Sequence, residues 1–367
     1  MTDTPPFPLA YCPDGHARLE RLRLLFERRA SDRIFGFMHA PTLALKRFGQ
    51  KYQAGYCDRP DLGERAAYWD ELLSERAGIL DDSIPAAYLT EMDQGLYGGM
   101  VGGTVQFMAD PERGWISSIV APILSDWSGF ERLRIDPEGE WFRFYLEELE
   151  LFRRAGEGKF GISHFILIDG FNFLFELFGG TRSYLEAVEN PELVREAIDF
   201  AHRLNLVVHQ AFFDRAGLLE GGTCSNFVGW LPGRIVSESV DPFHMTSVKF
   251  FEQWGRGPAE RMLTTFDGGI VHLHANGRHL LEAVSTLRGL VAVSALDDRG
   301  YASAFSLGRE LKKRLGDVPL MLFAEYPDFL AALDRHTLPG GVLYRVRNVP
   351  GIDEANRCME RVREYRA

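Results

Sequence analysis

Cysteine is scarce. The four in this chain of 367 residues, Cys12, Cys57, Cys224 and Cys358, lie far apart and form no CxxC pair, which argues against both a disulfide framework and a zinc ribbon. Long apolar runs are missing as well; none approaches the roughly 20 residues of a membrane span. The opening MTDTPPFPLAYC has neither a basic n-region nor an apolar h-region, so no signal peptide is expected. Basic residues are outnumbered, 41 Lys and Arg against 52 Asp and Glu, for a net charge of −11. That removes the basic footprint needed to bind a nucleic-acid backbone. The glycine-rich stretch YGGMVGGT (97–104) has no following GK[ST] and is not a phosphate loop. These absences lead to the expectation of a reduced, cytoplasmic monomer or homodimer that acts on a small molecule.

What is present is alternation. Short apolar, β-branched or aromatic runs occur at 33–39, 86–92, 159–165, 216–224, 269–275, 290–296, 319–325 and 341–347, eight in all. Stretches of helical period lie between them, as at 141–155, 191–214, 303–316 and 352–365. Eight strands alternating with helices predict the α/β class and a (β/α)8 barrel over 33–367. Residues 1–32 form an N-terminal extension, a proline-rich lead-in followed by a charged amphipathic helix at 16–30. The long interval 93–158, after the second strand, reads as an insertion carrying a hairpin (TVQFM, then GWISSIVAPI). A doubly wound sheet would be favoured by a glycine-rich loop after the first strand, and HAPTLALKRFG is not one.

In such a barrel the chemistry sits at the C-terminal strand ends, and side chains alternate between interior and helix layer. In GIVHLHA, His272 and His274 share the face opposite Val271 and Leu273, and so are expected to point inward. The same parity gives inward sets ending on His39, Glu91, His164, Asp297 and Glu325, with Arg345 and Arg347 on the last strand. The fourth strand contributes Thr223, Cys224, Ser225 and Asn226 instead. Three readings of the histidine pair stay open: a hydrogen-bonded pair at the top of a core, a metal site, or metal-free acid–base and substrate anchoring. Residues i and i+2 on one strand are ~7 Å apart, so both imidazoles can reach one ion, with Asp297 or Glu325 completing an N/O set suited to zinc, iron(II), manganese or cobalt. Arg345 and Arg347 can clamp a substrate carboxylate or phosphate.

Four segments in order carry a resemblance: FGGTRSYLEAVENPELVREAIDF (178–200), LPGRIVSESVDPFHMTSVKFFEQW (231–254), GGIVHLHANGRHLLEAV (268–284) and VRNVPGIDEANRCMERVREY (346–365). Together they resemble the uroporphyrinogen decarboxylase-like superfamily, which includes cobamide- and thiol-linked methyltransferases. The resemblance runs from about residue 33 to the C-terminus and implies a (β/α)8 barrel. His272 stands where the methyltransferase branch has the histidine of H-x-C-G, but His274 replaces the cysteine, and no second cysteine falls near 346–351; Cys358 lies inside a helix. A His/His/carboxylate set would leave a metal more Lewis-acidic than thiolates do. True uroporphyrinogen decarboxylases differ more: their RQAGR segment has no counterpart in RIFGFMHAPTLALKRFG, and LTEMDQG replaces their FSD, with Glu91 or Asp93 as stand-ins.

The reading that follows is a metal-assisted methyl- or one-carbon-group transferase. His272, His274 and Glu325 would hold a divalent ion, zinc first among the choices. His39, Glu91, His164 and Asp297 would handle protons, and Asn226, Arg345, Arg347 and Tyr326 would bind substrate. The resemblance implies a corrinoid carried on a partner protein, since this chain has no D-x-H-x-x-G motif of its own. The alternatives are a metal-independent decarboxylase of a tetrapyrrole or other cyclic acid, and a non-catalytic binding protein.

Overall fold

The computed structural model describes residues 7–367; residues 1–6 of the expected lead-in lie outside the described residues. The strands in chain order are β1 (Ile34–Met38), β2 (Gly55–Cys57), β3 (Ala86–Tyr88), β4 (Val105–Asp110), β5 (Trp115–Val120), β6 (Gly161–Ser163) and β7 (Gly222–Ser225), followed by β8 (Gly229–Pro232), β9 (Ile235–Ser239), β10 (Gly268–Leu273), β11 (Leu290–Ala295), β12 (Leu320–Glu325) and β13 (Val342–Arg347). Six of them form one sheet in the order β1-β13-β12-β11-β10-β9, and every pairing in it is parallel. A second sheet runs β3-β6-β7-β8, and β2, β4 and β5 make a small antiparallel sheet within and beside the expected insertion. The fold is mixed α/β and barrel-like. Among the described residues no helix is long and apolar enough to cross a membrane.

The expected fourth strand is corrected. Residues 222–225 are strand, but they turn back through Asn226–Val228 into β8 as an antiparallel hairpin. The strand that pairs in parallel with β10 is Ile235–Ser239. Gly222 marks a close approach: a Cβ there would strike the Trp230 ring and the Leu231 carbonyl.

The apolar residues divide into two clusters. The outer one lies between the sheets and the helices and includes Val236, Val271, Val293, Leu322 and Tyr344. The inner one gathers Phe35, Ile235, Ile270, Ala292, Met321 and Leu343 from the six parallel strands. It is filled by the N-terminal helix Gly15–Phe26, through Leu19, Leu22 and Leu25, and by Phe227, Trp230 and Leu231 of the hairpin. Strand alternation is thus sorted as the pleat demands, one side toward helices and the other toward a plugged interior.

Two buried carboxylates fasten this plug. On the side of β1 away from β13, Asp82 accepts from the Gly36 amide at 2.9 Å and Asp81 from the Met38 amide at 2.8 Å. They stand in for a neighbouring strand as acceptors of backbone donors that would be costly to bury unmade. Both acids are fully buried, and the N-terminal helix supplies their counter-charges: Arg18 lies 3.3 Å from Asp81 and Arg21 2.6 Å from Asp82. The Asp82 amide donates to the Gly36 carbonyl, and the Leu167 amide donates to Ser237 of β9 at 2.9 Å. These bonds connect the six-stranded sheet at both ends to the segments flanking β3 and β6.

Trp230 is fully enclosed in the inner cluster, donates from Nε1 to Leu219 at 2.8 Å and lies under the Arg23 guanidinium. Trp230→Ala is expected to cost roughly 3–5 kcal/mol of stability, read as a lowered denaturation midpoint in urea.

Candidate functional site

His272 occupies an inner position of β10, in register with Ser239 of β9 and Ser294 of β11. Directly after β9 the chain makes a short turn, Asp241–Phe243, containing Pro242. That turn brings Asp241 to the same edge. Its Oδ1 lies 3.0 Å from His272 Nε2 and 3.9 Å from His274 Nε2, and one donor atom from each of the three residues falls within 4.8 Å of the others. His274 follows the strand and is half-buried; its Nδ1 lies 2.9 Å from Asp298 Oδ1. An ionised carboxylate only accepts, so Nδ1 carries a proton, and Nε2 is the ring nitrogen that faces Asp241. Asp298 is itself fixed by the Ala275 amide at 2.6 Å.

The electrostatics are those of a tight pair. Burial alone would raise the Asp241 carboxyl, but the charge and hydrogen bond of His272, with His244 and His274 beyond it, hold it well below the usual carboxylate range. Burial disfavours the His272 imidazolium, yet Asp241 outweighs this and the net shift is upward. His244, with its Nδ1 3.5 Å from Asp241, goes the other way: burial, followed by the neighbouring histidines, pushes it down to about 4 despite the carboxylate. The Phe227 ring from the hairpin tip stacks nearly parallel on His272, with centroids 5.8 Å apart and a 12° tilt.

The arginines occupy the other half of this edge. Arg345 is in register with Phe37 of β1 and Phe323 of β12. Its guanidinium lies 4.6 Å from the centre of the first ring and 5.2 Å from that of the second. Its Nε donates to His39 Nε2 at 3.1 Å and its Nη1 to the Asn226 carbonyl. Burial, followed by Arg345, Arg76 and Arg347, keeps His39 well below its ordinary value, so it is a neutral acceptor. Arg347 lies 3.9 Å over Phe323. The Asn226 amide is held by Ser163 Oγ at 2.8 Å, and its side chain meets the Tyr88 hydroxyl.

The other expected residues are placed elsewhere. Glu325 is exposed at the end of β12 and accepts from Asn348 at 2.7 Å. It stands two strands from β10 in the order β10-β11-β12, about 10 Å across at ordinary strand spacing, too far to share an ion with His272. Asp297 lies beyond β11 in a loop, accepting from the Ala304 amide at 2.6 Å, with Arg278 at 3.5 Å; the inner residues of that strand are Ala292 and Ser294, not Val293 and Ala295. His164 faces the helix layer, its ring nitrogens against the Phe165 and Ile235 carbonyls and its edge toward Phe212. Glu91 also faces outward, in a fully buried ion pair with Arg65 beneath the helices. Tyr326 begins the helix Tyr326–Asp334 and packs against the outer cluster.

Asp241, Asp298, Phe227 and Tyr88 escape the sequence reading. Asp241 carries the clearest signal of the four: IVSES has a β-branched start and leads through Val240 into the pair Asp241-Pro242, although its two serines weaken it as a strand. Glu91→Ala breaks a fully buried ion pair by removing the partner of Arg65. The expected loss is about 3–5 kcal/mol, measured by chemical denaturation.

No family model matches the chain, and no curated protein matches it. Among solved structures, a methyltransferase from Methanosarcina mazei superposes with a TM-score of 0.61 over 95% of this chain and 98% of that one, at 13% sequence identity. The two chains are alike in fold.

Proposed function

We propose that the protein is a metal-assisted group transferase, moving a methyl or other one-carbon group at the C-terminal mouth of a (β/α)8 barrel. His272, His274 and Asp241 would be the ligands of a divalent ion, with zinc the first choice for this N/O set. The observation that carries the reading is the convergence of three donor atoms within 4.8 Å, one of them a histidine whose tautomer is fixed by Asp298. Carboxylate–histidine relays of this kind orient metal ligands and raise their basicity. Three protein ligands leave coordination positions for a substrate heteroatom. The likeness of fold to a methyltransferase favours group transfer over other metal chemistry.

An ion bound there supplies Lewis acidity, which polarises a coordinated heteroatom and favours its deprotonated form at neutral pH. The chain's own residues do the rest. Asp241 contributes the negative charge that offsets the cation. His274 offers Nε2 because Asp298 holds the proton at Nδ1. His244 stays neutral behind the carboxylate and adds no competing positive charge. Phe227 keeps the His272 ring in one plane and shields it from water. A corrinoid-bearing partner protein is proposed as the source of the transferred group.

Elemental analysis of the as-purified protein is expected to find about one divalent ion per chain. His272→Ala and Asp241→Ala should abolish it, whereas Glu325→Ala should retain it. Asp298→Asn is expected to weaken metal affinity about 10–100-fold, read by competition with a chromogenic chelator. A wild-type chain that takes up neither zinc nor cobalt on titration would overturn the proposal.

A further inference from the structure

The half of the mouth opposite His272 contains two guanidiniums that no carboxylate touches directly, although Glu325, in register with Arg347, and Asp297 act on Arg347 at longer range, as Asp81 does on Arg345. Among the described residues neither Arg345 nor Arg347 has an acid within 4 Å, although most other half-buried arginines do; Arg23 and Arg363 bond carbonyls instead. The bonds from Arg345 go to neutral acceptors, His39 Nε2 and the Asn226 carbonyl. Two of its five N–H groups are thereby used. Arg347 has no hydrogen bond to the described residues and rests on the face of Phe323. The acids closest in charge are engaged elsewhere: Glu325 accepts from Asn348, and Asp297 accepts from the Ala304 amide and faces Arg278. Asp81, below, takes the Met38 amide and Arg18, with Arg76 at 3.6 Å.

The result is a crowd of three guanidiniums, Arg76, Arg345 and Arg347, against the aromatic walls Phe37 and Phe323. Burial, then repulsion from Arg76 and Arg347, pushes Arg345 down to about 9. A half-buried cation with no acid in contact is costly to keep, and planar forks with free N–H groups match the two oxygens of an oxyanion.

We infer that Arg345 and Arg347 form a receptor for the oxyanion head, carboxylate, sulfonate or phosphate ester, of a small organic acid whose apolar body lies along Phe37 and Phe323. The hairpin tip lies between the two halves: Asn226 bonds Arg345 and Phe227 stacks on His272. An acid anchored by its anion at Arg345 and Arg347 reaches His272, His274 and Asp241 by extending past this tip, three strands along the order β13-β12-β11-β10, about 14 Å along the sheet at ordinary strand spacing. The inference deepens the transferase reading by naming its substrate class, and rests on that reading only in treating the bound acid as substrate.

Isothermal titration calorimetry on the full chain tests it with benzoate, benzenesulfonate and phenyl phosphate as charged probes and benzamide as the neutral one. At least one charged probe is expected to bind tenfold or more tightly than benzamide, and the strongest identifies the head group. Arg347→Gln should weaken that probe at least tenfold, with Arg347→Lys recovering part. Arg345→Gln should do the same, and its melting temperature shows whether the floor has stayed folded. His272→Ala should still bind the anion, so failure of the metal proposal leaves this one standing. Equal affinity for benzamide, unchanged affinity in Arg347→Gln, or loss of anion binding in His272→Ala alone would each overturn the receptor.

Discussion

Two adjacent buried carboxylates, Asp81 and Asp82, hold together parts of the chain that are distant in sequence. They accept from the backbone of β1, ion-pair with Arg18 and Arg21 of the N-terminal helix and support Arg76 at the base of the mouth. A buried carboxyl group stays ionised only when it is paired and hydrogen-bonded, and here each function of the carboxylates depends on the others. The helix supplies the cations that let the acids be buried. The acids complete the edge of β1, and β1 in turn presents Phe37 and His39 beside Arg345. The electrostatics of the functional edge are therefore continuous with those of the scaffold.

The fold was legible where strands were long and two-sided in character. β10, β12, β13 and β1 alternate clearly, and their inner sets, Ile270 with His272, Met321 with Phe323, Arg345 with Arg347, and Phe35 with Phe37, follow from that alternation. In β3, β6 and β11 the terminal titratable residue is a poor guide to the inner face. Ala87, Leu89 and Ile162 pack outward, so Glu91 and His164 go with them. The inner residues of those strands are small or polar, such as Ala86 and Ser163, because the hairpin tip occupies the space in front of them. No local pattern announces such a long-range filler.

The site was legible by half for the same reason. The spacing of His272 and His274 on one strand needs only the pleat. Their acidic partner depends on which strand lies beside β10, and that is topology. Residues 235–239, rich in serine, read weakly as strand, so the pattern points to Glu325 rather than Asp241 as the acid beside the histidines. Asp298 accepts a backbone amide, and the same carboxylate also accepts from His274 Nδ1. A chain of net charge −11 thus sorts its mouth into an acid–imidazole side and a guanidinium–aromatic side.

The hairpin tip separates those two sides. Its consecutive residues Asn226 and Phe227 serve one each, and its base is gripped by Trp230 and the N-terminal helix. Inserting or deleting a single residue in this turn would displace both contacts together. The proposed ion site and the proposed anion receptor are consequently inherited as one trait: descendants of this chain can alter the tip only by retuning both sides in the same step.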